Sequence, residues 1–263
     1  MDMPAQSHRS DPRLLGWRTL ERDHRCLAEF LRPGLSVLDV GCGTGAITAG
    51  IARAVKPEGH VVGIDRDEAL LETARTEHAG MENLQFEYGD AIDLRFRARF
   101  DIVTSARALQ WIAEPGFVVK KMKQAAKRGG VVVVLDYNHT QNRWEPEPPP
   151  EFKAFYNAFL AWRQTNGWDN EMADHLPGLL RLAGLVSVQS REQDEVIKRG
   201  EPEFAKLSFL WVGTLESVAG QLIAAGLCTK VQLDEVRERY VSWVMTDLVK
   251  QTLAMRAVIG IVP

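Results

Sequence analysis

Nine residues, Val37 to Gly45, constrain this chain more than any others. Val37, Leu38 and Val40 are apolar, Asp39 is acidic, and Gly41, Gly43 and Gly45 alternate with Cys42 and Thr44. The run reads as a strand feeding a glycine turn. Residues 46–55, with Ile47, Ile51 and Val55 four apart, read as the helix that follows. Strand, glycine turn and helix open a nucleotide-binding α/β unit. Glycines let the backbone bend tightly and approach a ligand with no Cβ in the way. Gly41-x-Gly43-x-x-Ala46 also satisfies the permissive dinucleotide pattern, so glycine spacing leaves NAD(P) open. Asp39 is more selective, because a carboxylate at the strand tip repels a pyrophosphate and attracts a cationic ligand.

Further along, residues 60–64 read as a second, buried strand ending in Asp65. An acid about twenty residues past the glycines suits a ribose diol, whichever nucleotide is bound. Asp67 then reads as the N-cap of a helix over 68–77. Strands follow over 84–88, ahead of Gly89-Asp90-Ala91, and over 100–105. A helix over 115–127 carries basic residues on a solvated face. A fifth strand over 130–136 delivers Tyr137, Asn138 and His139 to the carboxyl edge of the sheet, where open α/β folds bind ligands.

Four pieces therefore stand in series: Asp39-Val40-Gly41-Cys42-Gly43-Thr44-Gly45, Gly63-Ile64-Asp65, Gly89-Asp90-Ala91 and Phe100-Asp101-Ile102-Val103. In their order and spacing the chain resembles class I S-adenosylmethionine-dependent methyltransferases over about residues 30–136. Ser105-Ala106-Arg107-Ala108-Leu109-Gln110-Trp111 is similar to the small-molecule branch, which includes trans-aconitate and ubiquinone- or menaquinone-biosynthesis methyltransferases. The resemblance implies a Rossmann-like, seven-stranded, mostly parallel sheet with helices on both faces. It implies S-adenosyl-L-methionine as cofactor and S-adenosyl-L-homocysteine as product. Cofactor binding is expected at Asp39, Gly41, Cys42, Gly43, Asp65, Arg66, Asp90, Ala91, Ala106, Arg107 and Trp111. Asp90 would meet the adenine amino group, with a capping aspartate as its alternative. Residues 16–31 read as one amphipathic helix, which in the family lies over the cofactor, so Trp17 and Arg18 join the set.

Composition narrows the partners. A formal net charge of −3 gives no polyanion-binding surface. Methyltransferases of exocyclic base amines carry an acid or asparagine, two prolines and an aromatic after the fourth strand; Ser105 to Ala108 does not match, so no nucleic-acid partner is expected. No run of about eighteen apolar residues predicts a membrane span. Residues 1–15 read as a polar tail without a signal segment. Three scattered cysteines, Cys26, Cys42 and Cys228, suit a reducing cytoplasm. No histidine, cysteine or carboxylate cluster has metal-ligand spacing, so no metal is expected.

After Asn142 the character changes. Residues 145–150 form a proline-rich link that cannot be helical. Eight aromatics fall between 137 and 168, against a chain average of 8%. The expected organisation is a tail over 1–15, a core over 16–140 and a helical cap insertion over 141–184. The end of the sheet, over 185–263, carries a second helical insertion at about 201–247. Such a cap either fills the core or roofs an apolar pocket. Tyr137, Asn138, Trp144, Tyr156, Phe209 and Trp243 are the expected substrate contacts, and His139 the expected base if the acceptor is a hydroxyl or carbon acid. The reading is methyl transfer to a small aromatic or apolar acceptor through O, N or C, by a monomer or homodimer. A protein methyltransferase, a non-catalytic S-adenosylmethionine-binding protein and an NAD(P)-dependent oxidoreductase are the alternatives.

Overall fold

The computed structural model describes residues 12–263, so most of the expected tail lies outside the described residues. The chain runs α1 (Pro12–Gly16), α2 (Leu20–Asp23), α3 (Arg25–Ala28), β1 (Ser36–Val40), α4 (Ala46–Ala54), β2 (His60–Asp65), α5 (Glu68–Glu77), β3 (Leu84–Tyr88) and β4 (Phe100–Ala106). It continues α6 (Pro115–Ala125), β5 (Ala126–Tyr137), β6 (Arg143–Glu145), α7 (Pro150–Thr165), α8 (Met172–Leu182), β7 (Val186–Glu192) and β8 (Glu195–Lys198). Last come α9 (Phe204–Ser208), α10 (Leu210–Ala224), α11 (Lys230–Thr246), β9 (Lys250–Leu253) and β10 (Met255–Ile261).

Seven strands form one sheet in the order β3-β2-β1-β4-β5-β10-β7, with β1 to β5 parallel and β10 antiparallel to both its neighbours. The order reverses between β1 and β4, and there the carboxyl ends of the strands part to make a ligand crevice. The valine run of β5 shows why the sheet is buried on both sides. Val133 and Leu135 join one apolar cluster, Val132 and Val134 the other. That is the environment in which parallel strands read as unbroken apolar runs.

Two expectations need correction. Residues 16–31 are not one helix but the short turns α2 and α3, because His24 leaves helical geometry at φ −147° and ψ 45°. The expected cap over 141–184 is too long. Its second helix, α8, buries Met172, Leu176 and Leu180 against the sheet face that α6 also covers, so it belongs to the core. A small antiparallel sheet, β6-β9-β8, was also not foreseen; its strands are three or four residues long.

The cap is built from α7 and α9–α11 on the other face. Phe152, Phe155, Phe159 and Trp162 of α7 are at most 2% exposed; Phe152 packs on Trp211 of α10 and Tyr240 of α11, and Phe159 on Trp211. Residues 204–224 have the length and apolarity to cross a membrane; here Trp211, Leu215, Val218 and Leu222 turn into the cap core. A Cβ on Gly213 would lie 2.7 Å from Leu14, so α1 docks directly on α10.

Candidate functional site

A cavity of about 770 Å³ opens at the carboxyl ends of β1, β2, β4 and β5 and runs beneath the cap. Its first half is acidic. Asp39, at the end of β1, is 4% exposed and its Oδ2 accepts a 2.7 Å hydrogen bond from Thr48 Oγ1. No cation pairs with it among the described residues. Burial pushes its carboxyl up to about 6; Thr48 opposes the shift, and Asp65 adds to it. A buried carboxylate without a counter-ion is a site for a cation.

Asp65 holds the glycine turn as well as facing the cavity. Its Oδ2 accepts from Gly43 N at 2.8 Å and its Oδ1 from Asp67 N at 3.0 Å. Each oxygen keeps a lone-pair direction for a ligand hydroxyl. Asp90 takes the capping role weighed for it and leaves one oxygen facing the cavity. It caps the turn Ala91–Asp93 through Oδ1, which accepts from Ile92 N at 3.0 Å, while Oδ2 has no donor among the described residues. Gly41 sits at φ 78°, and a Cβ there would meet the Ala108 Cβ at 2.6 Å. The Cys42 thiol is pushed well up by burial and by Asp39 and Asp65, which keeps it protonated.

Of the expected cofactor contacts, Asp39, Gly41, Cys42, Gly43, Asp65, Arg66, Asp90, Ala91, Ala106, Arg107, Trp111 and Arg18 all line the cavity. Trp17 does not; it lies in a side cavity with Lys206 Nζ 5.1 Å over its ring. Arg107 lines the wall, but its guanidinium does not await an acid from a ligand. It donates to Asp23 O at 2.9 Å and Tyr137 Oη at 3.0 Å, and pairs with Asp23 at 3.3 Å and Glu195 at 3.4 Å.

The second half of the cavity is apolar, walled by Tyr137, Phe159, Trp168, Leu210, Trp211 and Leu253. Only Tyr137 of the expected substrate contacts is among them. Asn138 turns away to cap the turn His139–Gln141 and to donate to Asp174 Oδ2 at 2.8 Å. Trp144 donates to Gln251 Oε1 at 2.9 Å within the cap core. Tyr156 stands one layer behind, donating to His139 O at 2.8 Å. Phe209 joins α9 to α10, and Trp243 packs on Tyr240. Aromatic periodicity marked α7 for burial but could not say which of its rings reaches the cavity. Tertiary packing selects Phe159, and Trp211 comes from a helix fifty residues on.

His139 is on the cavity wall as expected, yet its surroundings oppose the role of base. Burial, aided by Arg163, holds its imidazole well below the usual range. Gln110 Nε2 donates to Arg107 O at 3.3 Å, so its Oε1 faces His139 and accepts from Nε2 at 2.6 Å. The ring is therefore neutral with its proton on Nε2, stacked on Tyr137 with 5.2 Å between centroids. Charging it would place an imidazolium beside Arg163 in a dry site. The arrangement makes His139 a positioning residue. Behind it, Asp136 accepts from Tyr137 N and Gln110 N, and burial lifts its carboxyl to about 7.

A methyltransferase-domain family matches residues 31–175. A demethylmenaquinone methyltransferase of Staphylococcus aureus is 40% identical over 180 residues, covering 61% of this chain and 72% of the relative. Among solved structures, the YcgJ protein of Bacillus subtilis superposes with a TM-score of 0.59 at 16% identity, covering 90% of this chain and 96% of that one. A phosphoethanolamine N-methyltransferase of Haemonchus contortus, solved with S-adenosylhomocysteine and phosphomonomethylethanolamine, gives 0.58 at 16% identity. That match covers 92% of this chain and 52% of the Haemonchus chain, about half its length.

Proposed function

The chain belongs to the methyltransferase-domain family and is an S-adenosylmethionine-dependent methyltransferase of small molecules, and we propose that its acceptor is a hydroxylated aromatic or similarly apolar compound. The observation that carries this reading is the continuity of one cavity from the acids Asp39, Asp65 and Asp90 to the wall of Phe159, Trp168 and Trp211. The S. aureus relative is named for the methylation of demethylmenaquinone.

The residues fit the cofactor. Asp39 suits its ammonium group, the free lone pairs of Asp65 its ribose diol, and Asp90 Oδ2 its adenine amino group. When bound, the cofactor supplies an electrophilic methyl on a sulfonium. The chain's part is to hold donor and acceptor in line and keep water out, which can supply roughly 7–11 kcal/mol of the barrier. Leu210, Trp211, Phe159, Tyr137 and His139 line this half of the cavity and would keep water from the acceptor.

Asp39 makes this reading pH-sensitive. A cation needs the carboxylate, so affinity for S-adenosylhomocysteine should fall as pH drops through about 6, by up to about tenfold per pH unit. The sign for the unliganded protein is opposite. Native Asp39 keeps its proton where the unfolded chain has lost it, so between about pH 4 and 6 stability falls with rising pH, by about 3 kcal/mol. Calorimetric titration and thermal melts across about pH 4.5–8 read both signs; an affinity flat through pH 6 removes Asp39 from the cation site.

The acceptor class is tested by supplying S-adenosylmethionine with a labelled methyl group to a fractionated extract of the source organism. Label in the organic-soluble fraction is expected, and label only in protein sinks the reading. The same assay with His139→Gln, which keeps a donor toward Gln110, should lose less than about tenfold in turnover, the worth of one neutral hydrogen bond. A loss of roughly 10²–10⁴-fold would restore His139 as a base.

A further inference from the structure

Three observations at the acceptor end concern charge. First, Arg18, in the segment joining α1 to α2, lines the cavity and has no ion pair or side-chain hydrogen bond among the described residues. Burial and the neighbouring Arg107 guanidinium push its pKa down. Second, the nearby carboxylates are engaged elsewhere. Asp23 Oδ1 faces Arg107, and its Oδ2 accepts from Thr19 N and Arg22 Nε. Glu195 pairs with Arg107, and Glu203 with Arg22 and Lys206. Among the described residues here, four cations, Arg18, Arg22, Arg107 and Lys206, thus stand with three carboxylates, leaving one positive charge in excess. Third, Tyr137 Oη accepts from Arg107 Nε at 3.0 Å, while its own proton has no acceptor among the described residues.

We propose that Arg18 and the Tyr137 hydroxyl together hold an oxyanion of the methyl acceptor, so that the enzyme takes a phenol, enol or hydroquinone as its anion. This deepens the methyltransferase reading and rests on it. Arg18 and Tyr137 both border a second, smaller cavity with Asp23 and Glu195, beneath Leu207 and Leu210. No residue of the glycine turn borders that smaller cavity. That places the guanidinium toward the acceptor half rather than over Gly41 and Gly43, where the sequence reading had it serve the cofactor.

The chemistry removes the need for a base beside the reacting atoms. The acceptor gives its hydroxyl proton to bulk water, and its anion enters against an excess positive charge. Transfer then forms one bond from the acceptor's oxygen or ring carbon to the methyl carbon. The methyl–sulfur bond breaks with its electron pair remaining on sulfur, and a C-methylated ring loses its proton to water to regain aromaticity. A neutral, buried His139 is compatible with this course.

The test uses the full-length protein saturated with S-adenosylhomocysteine and 4-nitrophenol as probe, because its phenolate absorbs in the visible and its phenol does not. At a pH below the probe's own pKa, wild-type protein should bind it as phenolate. Arg18→Gln should weaken phenolate binding by roughly tenfold or more, the worth of a charge-assisted hydrogen bond. Tyr137→Phe should weaken it by a smaller factor, and Arg18→Lys should recover part of the loss. In all three variants calorimetric affinity for S-adenosylhomocysteine should stay within about twofold. Absence of a bound phenolate in the wild type, or its persistence in Arg18→Gln, overturns the proposal. A loss of S-adenosylhomocysteine affinity in Arg18→Gln as large as the probe's also overturns it and returns Arg18 to the cofactor. Failure of the wild type to bind S-adenosylhomocysteine at all would instead strike the methyltransferase reading.

Discussion

Asp65→Ala should weaken S-adenosylhomocysteine binding by about two to three orders of magnitude while leaving the chain folded. The carboxylate does two jobs with its four lone pairs. Two are taken by Gly43 N and Asp67 N, which fix the glycine turn against the end of β2. The others point where a ribose diol would donate. Hydrogen bonds to a charged acceptor contribute about 1.5–3 kcal/mol each, so losing two costs the ligand roughly 3–4 kcal/mol or more. The turn loses less, since Gly41 N and Cys42 N remain anchored on Ile64 O at 2.8 and 3.0 Å. Asp67→Ala is the control. Asp67 caps α5 through Ala69 N and Leu70 N, so its loss should cost about 1 kcal/mol of stability and leave the affinity alone. Equal affinity losses in the two variants would mean that Asp65 acts only through the turn, and the diol assignment would fall.

The contrast between these two aspartates also explains what could be read from the sequence. Asp67 caps a helix and Gly41 bends a chain for local reasons, and local geometry is visible in a window of a few residues. The parallel strands are legible because a buried parallel strand is apolar on both sides, as Val131 to Leu135 are, whereas the short strands β6, β8 and β9 carry no such run. Trp144, Asn138 and Trp243 were misplaced for a different reason. Two of them turn on partners far along the chain, Gln251 for Trp144 and Asp174 for Asn138, while Trp243 faces Tyr240 one turn back on its own helix, within the packing of the cap. The split of residues 16–31 into α2 and α3 belongs here too. Its period is helical, yet Arg107, more than eighty residues on, takes the Asp23 carbonyl that a continuing helix would need.

Arg107→Met should destabilise the protein by about 3–5 kcal/mol, because it strands a buried acid. Asp23 is 3% exposed; its Oδ2 would keep Thr19 N and Arg22, while its Oδ1 would lose its donor and its carbonyl would keep only Gln193 Nε2 at 3.4 Å. At this chain length that corresponds to a fall in Tm of roughly 10 °C. The size of the effect comes from the orphaned charge rather than from the pair itself, since buried ion pairs often contribute little net stability. Arg107→Met combined with Asp23→Asn should therefore be more stable than Arg107→Met alone. Backbone strain is a separate contribution. Arg107 sits at φ 60°, which costs a non-glycine residue about 1–3 kcal/mol. Arg107→Gly should accordingly be less damaging than Arg107→Ala, although glycine removes the same guanidinium. Were Arg107→Met to melt within a degree or two of the wild type, the guanidinium would not be what fastens α2 to the ends of β4 and β5. The excess positive charge assigned to the acceptor end would then need a different count.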